Sequence, residues 1–199
     1  CGDEEALVRQ VADLDEKTMP GPFLSAAEQI KIIAGSSPEW ICCAVEDYGD
    51  TPEGKKFINK LSFTICNHFG DSWKEQHALE IILEPLCRQF KKQYQASQAE
   101  LVQLVQLQHK LAVAYKTQGS YDAARELYEW GTAELIKIPQ KSLLEKTWLA
   151  SCWRKLAVIY KNLGNYQAMQ ANIQQAVTLQ EDIVKESDQL NDLKNLAAA

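Results

Sequence analysis

Apolar residues recur at helical spacing along most of the chain, and Gly, Pro and Ser interrupt the pattern at short intervals. Leu7, Val8, Val11 and Leu14, for example, follow the spacing of three to four residues that places side chains on one face of a helix. No segment alternates apolar and polar residues for long enough to predict a strand. The sequence therefore predicts an all-α protein of roughly nine helices joined by short turns.

Capping and turn residues set the expected helix ends. Ser25 with Glu28 forms a predicted capping box, and Pro38 suits the first position of the next helix. Pro85 lies within a predicted helix, where its ring should kink or split it. The predicted helices cover residues 3–18, 25–34, 39–48, 51–69, 73–95, 97–118, 121–138, 142–163 and 166–187, and a weak terminal helix follows from Gln189.

The second half of the chain holds two copies of one pattern. Residues 111–121 read LAVAYKTQGSY and residues 156–166 read LAVIYKNLGNY. Gly119 and Gly164 occupy the same place in the two copies, 45 residues apart. Similarity at a fixed period of this size is typical of proteins that stack one structural repeat on the next.

Each copy predicts a helical hairpin. The glycine can adopt the positive φ angle that a tight turn between helices requires. Ala112 and Ala157 are small enough to let two helices approach closely. Tyr121 and Tyr166 begin the returning helices and are expected to fill the gap beside each turn. Since neither hairpin can bury its apolar faces alone, neighbours are expected to stack.

These residues resemble tetratricopeptide repeats, especially the longer repeats of kinesin light chain. Met169 departs from the family pattern, which usually has Ala there, and Ile173 stands where the family has an aromatic residue. The positions that match the family signature are Leu111, Ala112, Tyr115, Gly119, Tyr121, Ala124, Tyr128 and Gly131 in the first copy, and Trp153, Leu156, Ala157, Tyr160, Gly164, Tyr166 and Ala176 in the second.

The resemblance implies a right-handed α-solenoid of stacked hairpins and divides the chain accordingly. We expect an N-terminal helical cap or eroded repeats over 1–50, a degenerate hairpin over 51–96, repeats over 97–140 and 141–188, and a C-terminal tail over 189–199. One interpretation of Ala197–Ala199 is a vector remnant, so these residues are left out of the fold argument.

The resemblance also implies a concave groove in which such repeats hold segments of other proteins. Four cations would make its wall basic, which predicts an acidic peptide or an acidic protein surface as the partner. The alternative is that these are ordinary solvated helix faces. The predicted groove residues are Gln106, His109, Val113, Lys116 and Thr117 from the first copy, and Ser151, Arg154, Lys155, Val158, Lys161 and Asn162 from the second.

The charge balance argues against nucleic acid as a partner. The net charge is −6, and residues 1–95 carry all of it, with 16 acids and 10 bases, while residues 96–199 carry 11 of each. A nucleic-acid-binding domain usually has a net basic surface. The sequence contains no run of about 18 apolar residues, so it predicts no membrane-spanning helix.

The sequence carries no catalytic, metal or cofactor motif, so we expect a non-enzymatic protein without a cofactor. His68, His77 and His109 are scattered and lack metal-ligand spacing. The six cysteines include no C-x-x-C pair, which favours buried free thiols in the reducing cytoplasm. Cys42-Cys43 could offer a thiol nucleophile, although core packing is the preferred interpretation.

The preferred function is therefore a scaffold or adaptor module that binds another protein, with the oligomeric state left open. One alternative is an envelope assembly lipoprotein, because Cys1-Gly2 followed by acids resembles the start of a lipid-anchored bacterial protein; a cloning boundary also explains Cys1. A second alternative is an enzyme or ligand-sensing regulator, whose pocket would lie between the N-terminal helices and the repeats, near His68 and His77.

Overall fold

The computed structural model describes residues 38–68, 73–93 and 98–197, and these form seven helices. We number them α1 (Pro38–Tyr48), α2 (Pro52–His68), α3 (Trp73–Gln93), α4 (Gln98–Thr117), α5 (Tyr121–Ile136), α6 (Leu143–Asn162) and α7 (Tyr166–Ala197). The described residues contain no strand, which confirms the all-α prediction. The helices predicted over 3–18 and 25–34 lie outside the described residues.

The predicted split at Pro85 and the predicted helix end near Ser187 are wrong. Helix α3 continues through Pro85 as one element rather than two, and the kink predicted there stays a prediction. Helix α7 does not end near Ser187 but runs unbroken to Ala197, so it includes the predicted terminal helix. The segment that continues it contains neither Gly nor Pro, and its Leu, Lys and Ala residues favour helix. None of the described helices combines the length and the apolarity needed to cross a membrane.

The chain forms two compact units, residues 1–114 and residues 115–199, and the boundary falls inside α4. In the first unit, α1, α2 and α3 pack against one another. Their core is closed by large apolar side chains that are fully buried, namely Ile41, Phe57, Ile58, Leu61, Ile65, Ile82, Leu83 and Leu86. On α4, the Gln103 side chain donates a hydrogen bond to the Asn59 carbonyl of α2, at 3.2 Å.

The turn between α1 and α2 is held by side chains from both ends. The Thr51 hydroxyl donates to the Tyr48 carbonyl at 2.7 Å and accepts from the Gly54 amide at 3.0 Å, so it caps the start of α2. From α3, the Gln89 amide donates to the Asp50 carboxylate at 2.8 Å. These bonds fix the turn against α3, and Gly54 lies directly against the backbone of α1.

Two turns, one before α5 and one before α7, share the same backbone hydrogen bonds. The Ser120 amide donates to the Tyr115 carbonyl at 2.9 Å, and 45 residues later the Asn165 amide donates to the Tyr160 carbonyl at 2.8 Å. The glycine that precedes each donor has a positive φ angle, 82° at Gly119 and 74° at Gly164. The turns predicted from the repeated sequence are therefore confirmed as structural equivalents.

In the second unit, α6 packs against α5 on one side and against α7 on another. The buried core of this unit comprises Ala124, Tyr128, Leu135, Leu149, Ala150, Cys152, Leu156, Ala157, Ile159, Ala176 and Ile183. Tyr166, in contrast, is 64% exposed, so the prediction that it fills a gap is wrong.

Polar contacts fix α6 in place at both ends. Ser142 and Glu145 form a reciprocal capping box at its start, and the side chain of Lys146 pairs with Glu186 of α7 at 2.5 Å. Near its end, the Tyr160 hydroxyl donates to the Glu129 carboxylate of α5. Burial, together with this hydrogen bond, raises the pKa of the Tyr160 hydroxyl. The face of α6 between these contacts is positioned by both neighbouring helices.

Candidate functional site

A groove runs between α6 and α7, with a volume of about 350 Å³. We call it the α6/α7 groove, and define it by the nine residues that line it. Four come from α6 and five from α7: Arg154, Ala157, Val158, Lys161, Met169, Ile173, Ala176, Val177 and Gln180. Six of these side chains are apolar. The groove therefore has an apolar floor, and cations stand only on its α6 side.

A second depression continues the groove along α7. It shares Val177 and Gln180 with the first and adds Glu181, Val184 and Lys185. Four large apolar side chains on this combined surface, Val158, Ile173, Val177 and Val184, are 44% to 50% exposed. Apolar side chains of this size that are exposed together, rather than singly, are typical of a surface that another molecule covers.

The cations whose side chains the structure describes in the second unit fall into two groups. Arg125, Lys137, Lys146 and Lys185 each pair with a carboxylate. Lys141 donates to two backbone carbonyls at the end of α5. No carboxylate among the described residues pairs with Lys116, Arg154, Lys155 or Lys161.

The four cations without an ion pair in the described part are the same four that the sequence predicts for a basic groove wall. Surface ion pairs contribute little to stability, so the fold loses little by leaving these four unpaired. A positive charge without an internal partner remains available to a carboxylate of another molecule. These four cations therefore stay candidates for contact with a partner.

Only part of the predicted wall lines the α6/α7 groove. Arg154, Val158 and Lys161 do, while Ser151, Lys155 and Asn162 do not. At about 100° per residue, the lining positions of α6 fall within an arc of roughly 100° that ends at Val158, and the other three lie beyond it. The groove therefore includes one side of the predicted α6 wall, and the other side lies outside it.

The first-copy residues have other surroundings. Lys116 and Thr117 are exposed, and Gln106 and Val113 are half-buried. His109 is only 8% exposed, which removes it from the candidate contact residues. A histidine at this position of the apolar helix α4 is part of the packed interior. None of these five residues belongs to the lining of the α6/α7 groove.

The residues on the α7 side of the groove are not among the predicted site residues. One signal was present, because Met169 and Ile173 are the two departures from the family pattern in the second copy, and both line the groove. Met169 replaces a small residue and Ile173 an aromatic one. Both changes alter the shape of the floor while they keep it apolar.

The described cysteines differ in burial, so core packing does not apply to all of them. None of the five cysteines in the described residues forms a disulfide: Cys87 and Cys152 are buried, Cys42 and Cys66 half-buried, and Cys43 exposed. Core packing is therefore wrong for Cys43, which faces solvent from α1. Burial raises the pKa of the Cys66 and Cys152 thiols to about 12. Within the part of the chain that the structure describes, no group of three His, Cys, Asp or Glu side chains could hold a metal ion.

We expect iodoacetamide at pH 8 to label Cys43 at least about a hundredfold faster than Cys152, because the thiolate is the reacting form and burial suppresses it. The neutral Cys152 thiol is favoured in the fold, so its contribution to stability is present below the ordinary pKa of 9.0 and is lost as the pH rises toward 12. Peptide mapping by mass spectrometry measures both rates. In denaturing urea the two rates should converge; a native rate for Cys152 equal to that of Cys43 would contradict the burial.

The paired helices and equivalent turns define a protein built from helical hairpin repeats. A family model described as "Tetratricopeptide repeat" matches residues 105–129 and 150–183. These two segments are therefore similar to tetratricopeptide repeats, as the sequence predicted. The specific likeness to kinesin light chain stays a prediction. No curated protein and no solved structure matches the chain.

Proposed function

We propose that this protein is a non-catalytic interaction module that binds an acidic segment of a partner protein at the α6/α7 groove. Tetratricopeptide repeats in general mediate protein–protein interaction. The observation that carries the finer statement is the division of the cations whose side chains the structure describes in the second unit: those predicted for the wall lack a described carboxylate partner, and the others have a described internal partner.

The apolar and the charged residues of the groove have different roles in binding. Its apolar floor provides affinity, because covering Val158, Ile173 and Val177 removes apolar surface from water. Arg154 and Lys161 provide selectivity for carboxylates and accelerate encounter with an acidic partner. Lys116 and Lys155 lie outside the groove lining and add to the positive potential of the unit.

The alternatives gain no observation from the described residues. Cys1, on which the lipoprotein interpretation depends, lies outside them, and so do the side chains of His68 and His77, on which the ligand-sensing interpretation depends. The cytoplasmic location also stays a prediction. We therefore argue the interaction module alone.

The test reverses two cations at a time. A displayed library of random peptides, selected with the full chain, should yield acidic sequences. Their affinity, measured by fluorescence anisotropy at low salt, should fall about tenfold or more when Arg154→Glu and Lys161→Glu are combined. It should also weaken as salt is added, since exposed charges are screened.

The matched control is Lys137→Glu combined with Lys141→Glu. It changes the net charge by the same amount, but neither residue lines the groove or the depression that continues it, and both already have internal partners: Lys137 pairs with Glu134, and Lys141 donates to the carbonyls of Ile136 and Ile138. The control pair should leave peptide affinity within about threefold of the wild type, because only the general potential changes. Equal losses from the two pairs, or selected peptides without an acidic bias, would overturn the proposed function.

A further inference from the structure

The groove discriminates between an extended peptide and a helix. An extended segment would place backbone N–H and C=O groups against the floor, where they need hydrogen-bond partners. The apolar side chains of the floor offer no hydrogen-bond partners; they include Ala157, Val158, Ile173, Ala176 and Val177. Gln180 is the single uncharged polar side chain of the lining. A helix satisfies its backbone groups internally and presents only side chains to such a floor.

The groove also has the length that a helix needs. Three apolar residues of α7 share one face: Val177 lies four residues after Ile173, and Val184 lies seven residues after Val177. They form one apolar stripe that is about 16 Å long from Ile173 to Val184. A partner helix of about three turns that carries its own apolar stripe at the same spacing can pack along this surface. An apolar helix face in an apolar groove is a common mode of peptide recognition.

The two groove cations set the register. Arg154 and Lys161 are seven residues apart on α6, which is two turns or about 10.5 Å along the axis. Both line the same edge of the groove. A helix aligned with α6 meets both cations when it carries carboxylates seven residues apart, because those side chains also lie on one face.

From these three observations we propose that the occupant of the α6/α7 groove is an amphipathic helix of a partner protein, with two carboxylates seven residues apart beside its apolar stripe. This inference rests on the proposed function and specifies its partner. A second copy of this chain is a poorer fit. Its groove surface would bring Arg154, Lys161 and Lys185 against the same three cations, with Glu181 as the one carboxylate on each surface.

The probes for the experiment are three synthetic fluorescent peptides of about 14 residues, which span three to four turns. The first has Leu at helical spacing and two Glu seven residues apart beside the Leu stripe. In the second the same residues are rearranged so that the two Glu fall on opposite faces. The third carries a central Pro, which breaks the helix. Fluorescence anisotropy with the full chain measures each affinity.

We expect the first peptide to bind about tenfold more tightly than either of the others. Val177→Glu should weaken it by a similar factor, because a carboxylate then stands in the floor opposite an acidic ligand. Ile136→Glu is the matched control, since Ile136 is 52% exposed and does not line the groove. Circular dichroism confirms that each variant is folded.

A charge exchange tests the register directly. The chain that combines Arg154→Glu and Lys161→Glu should lose the first peptide and bind a version in which both Glu are replaced by Lys. Recovery of binding in this crossed pair requires contact between the exchanged groups, which a general change of potential does not supply. Absence of recovery, with both chains folded, would overturn the register.

The outcomes separate this inference from the proposed function. Equal affinity of the Pro-containing peptide, still lost on reversal of Arg154 and Lys161, would identify an extended acidic ligand; the proposed function would stand and the helix would be wrong. Peptide binding that ignores the reversal would overturn both. Sedimentation that shows a dimer dissociated by Val177→Glu, without peptide binding, would assign the groove to a second copy and would also overturn the inference.

Discussion

Ile159→Ala should lower the free energy of unfolding by about 3 kcal/mol, whereas Val158→Ala, at the adjacent position of α6, should change it by less than about 0.5 kcal/mol. Ile159 is completely buried, so truncation leaves a cavity in the packed interior of the second unit. Val158 is 46% exposed and lines the groove, so its truncation removes little buried contact. Urea unfolding, followed by circular dichroism, measures both values.

The same two variants separate stability from binding. Under conditions where both are folded, Val158→Ala should weaken a groove-binding acidic peptide, since it removes floor surface, and Ile159→Ala should leave its affinity nearly unchanged. The two side chains point about 100° apart around α6, which is why neighbours in sequence differ so much. Similar losses of stability in both variants would contradict the orientation of α6.

Gly54→Ala should destabilise the first unit by about 3 kcal/mol, because the added methyl group has no room. A Cβ atom at this position would lie 1.7 Å from the Tyr48 carbonyl oxygen and 2.5 Å from its carbon. Both are backbone atoms at the end of α1, so the clash cannot be relieved by rotation of a side chain. The helix start of α2 would have to move away from α1, with loss of the Thr51 bonds that join them.

Gly164→Ala is the comparison variant, because it introduces backbone strain without a steric clash. A Cβ atom there meets nothing within 4 Å, but φ is +74°, so the substitution should cost only about 1 kcal/mol. Thermal unfolding of both variants, followed by circular dichroism, shows which of the two is less stable. A Gly54→Ala variant as stable as Gly164→Ala would show that α1 and α2 are not in the close contact that we describe.

The repeated half of the protein could be predicted closely from local signals. A turn glycine, a capping serine and apolar residues at helical spacing act within a few residues of one another, so they define a helix and its ends wherever the segment lies. The ends of α6 and the positive φ angles at Gly119 and Gly164 follow from such signals. The uninterrupted course of α7 was missed, because helix continuation there depends on the absence of a breaker rather than on the presence of a signal.

The candidate site was only half predictable. The family resemblance directed attention to the first helix of each hairpin, and three of the residues predicted there, Arg154, Val158 and Lys161, line the α6 side of the groove. The opposite side comes from α7, where Ile173 and Val177 are apolar residues that sequence alone cannot distinguish from core. Their exposure depends on which helix covers them.

The sequence by itself determined that the chain is helical, where its repeated hairpins turn, and which cations are candidates for binding. Those properties depend on the periodicity of side chains and on backbone preferences of individual residues, which are local. The tertiary structure decided which cations have no carboxylate partner among the described residues and which apolar residues line a groove. Ion pairs such as Lys146–Glu186, 40 residues apart, form only when helices pack, and packing alone determines which face of each helix is left uncovered.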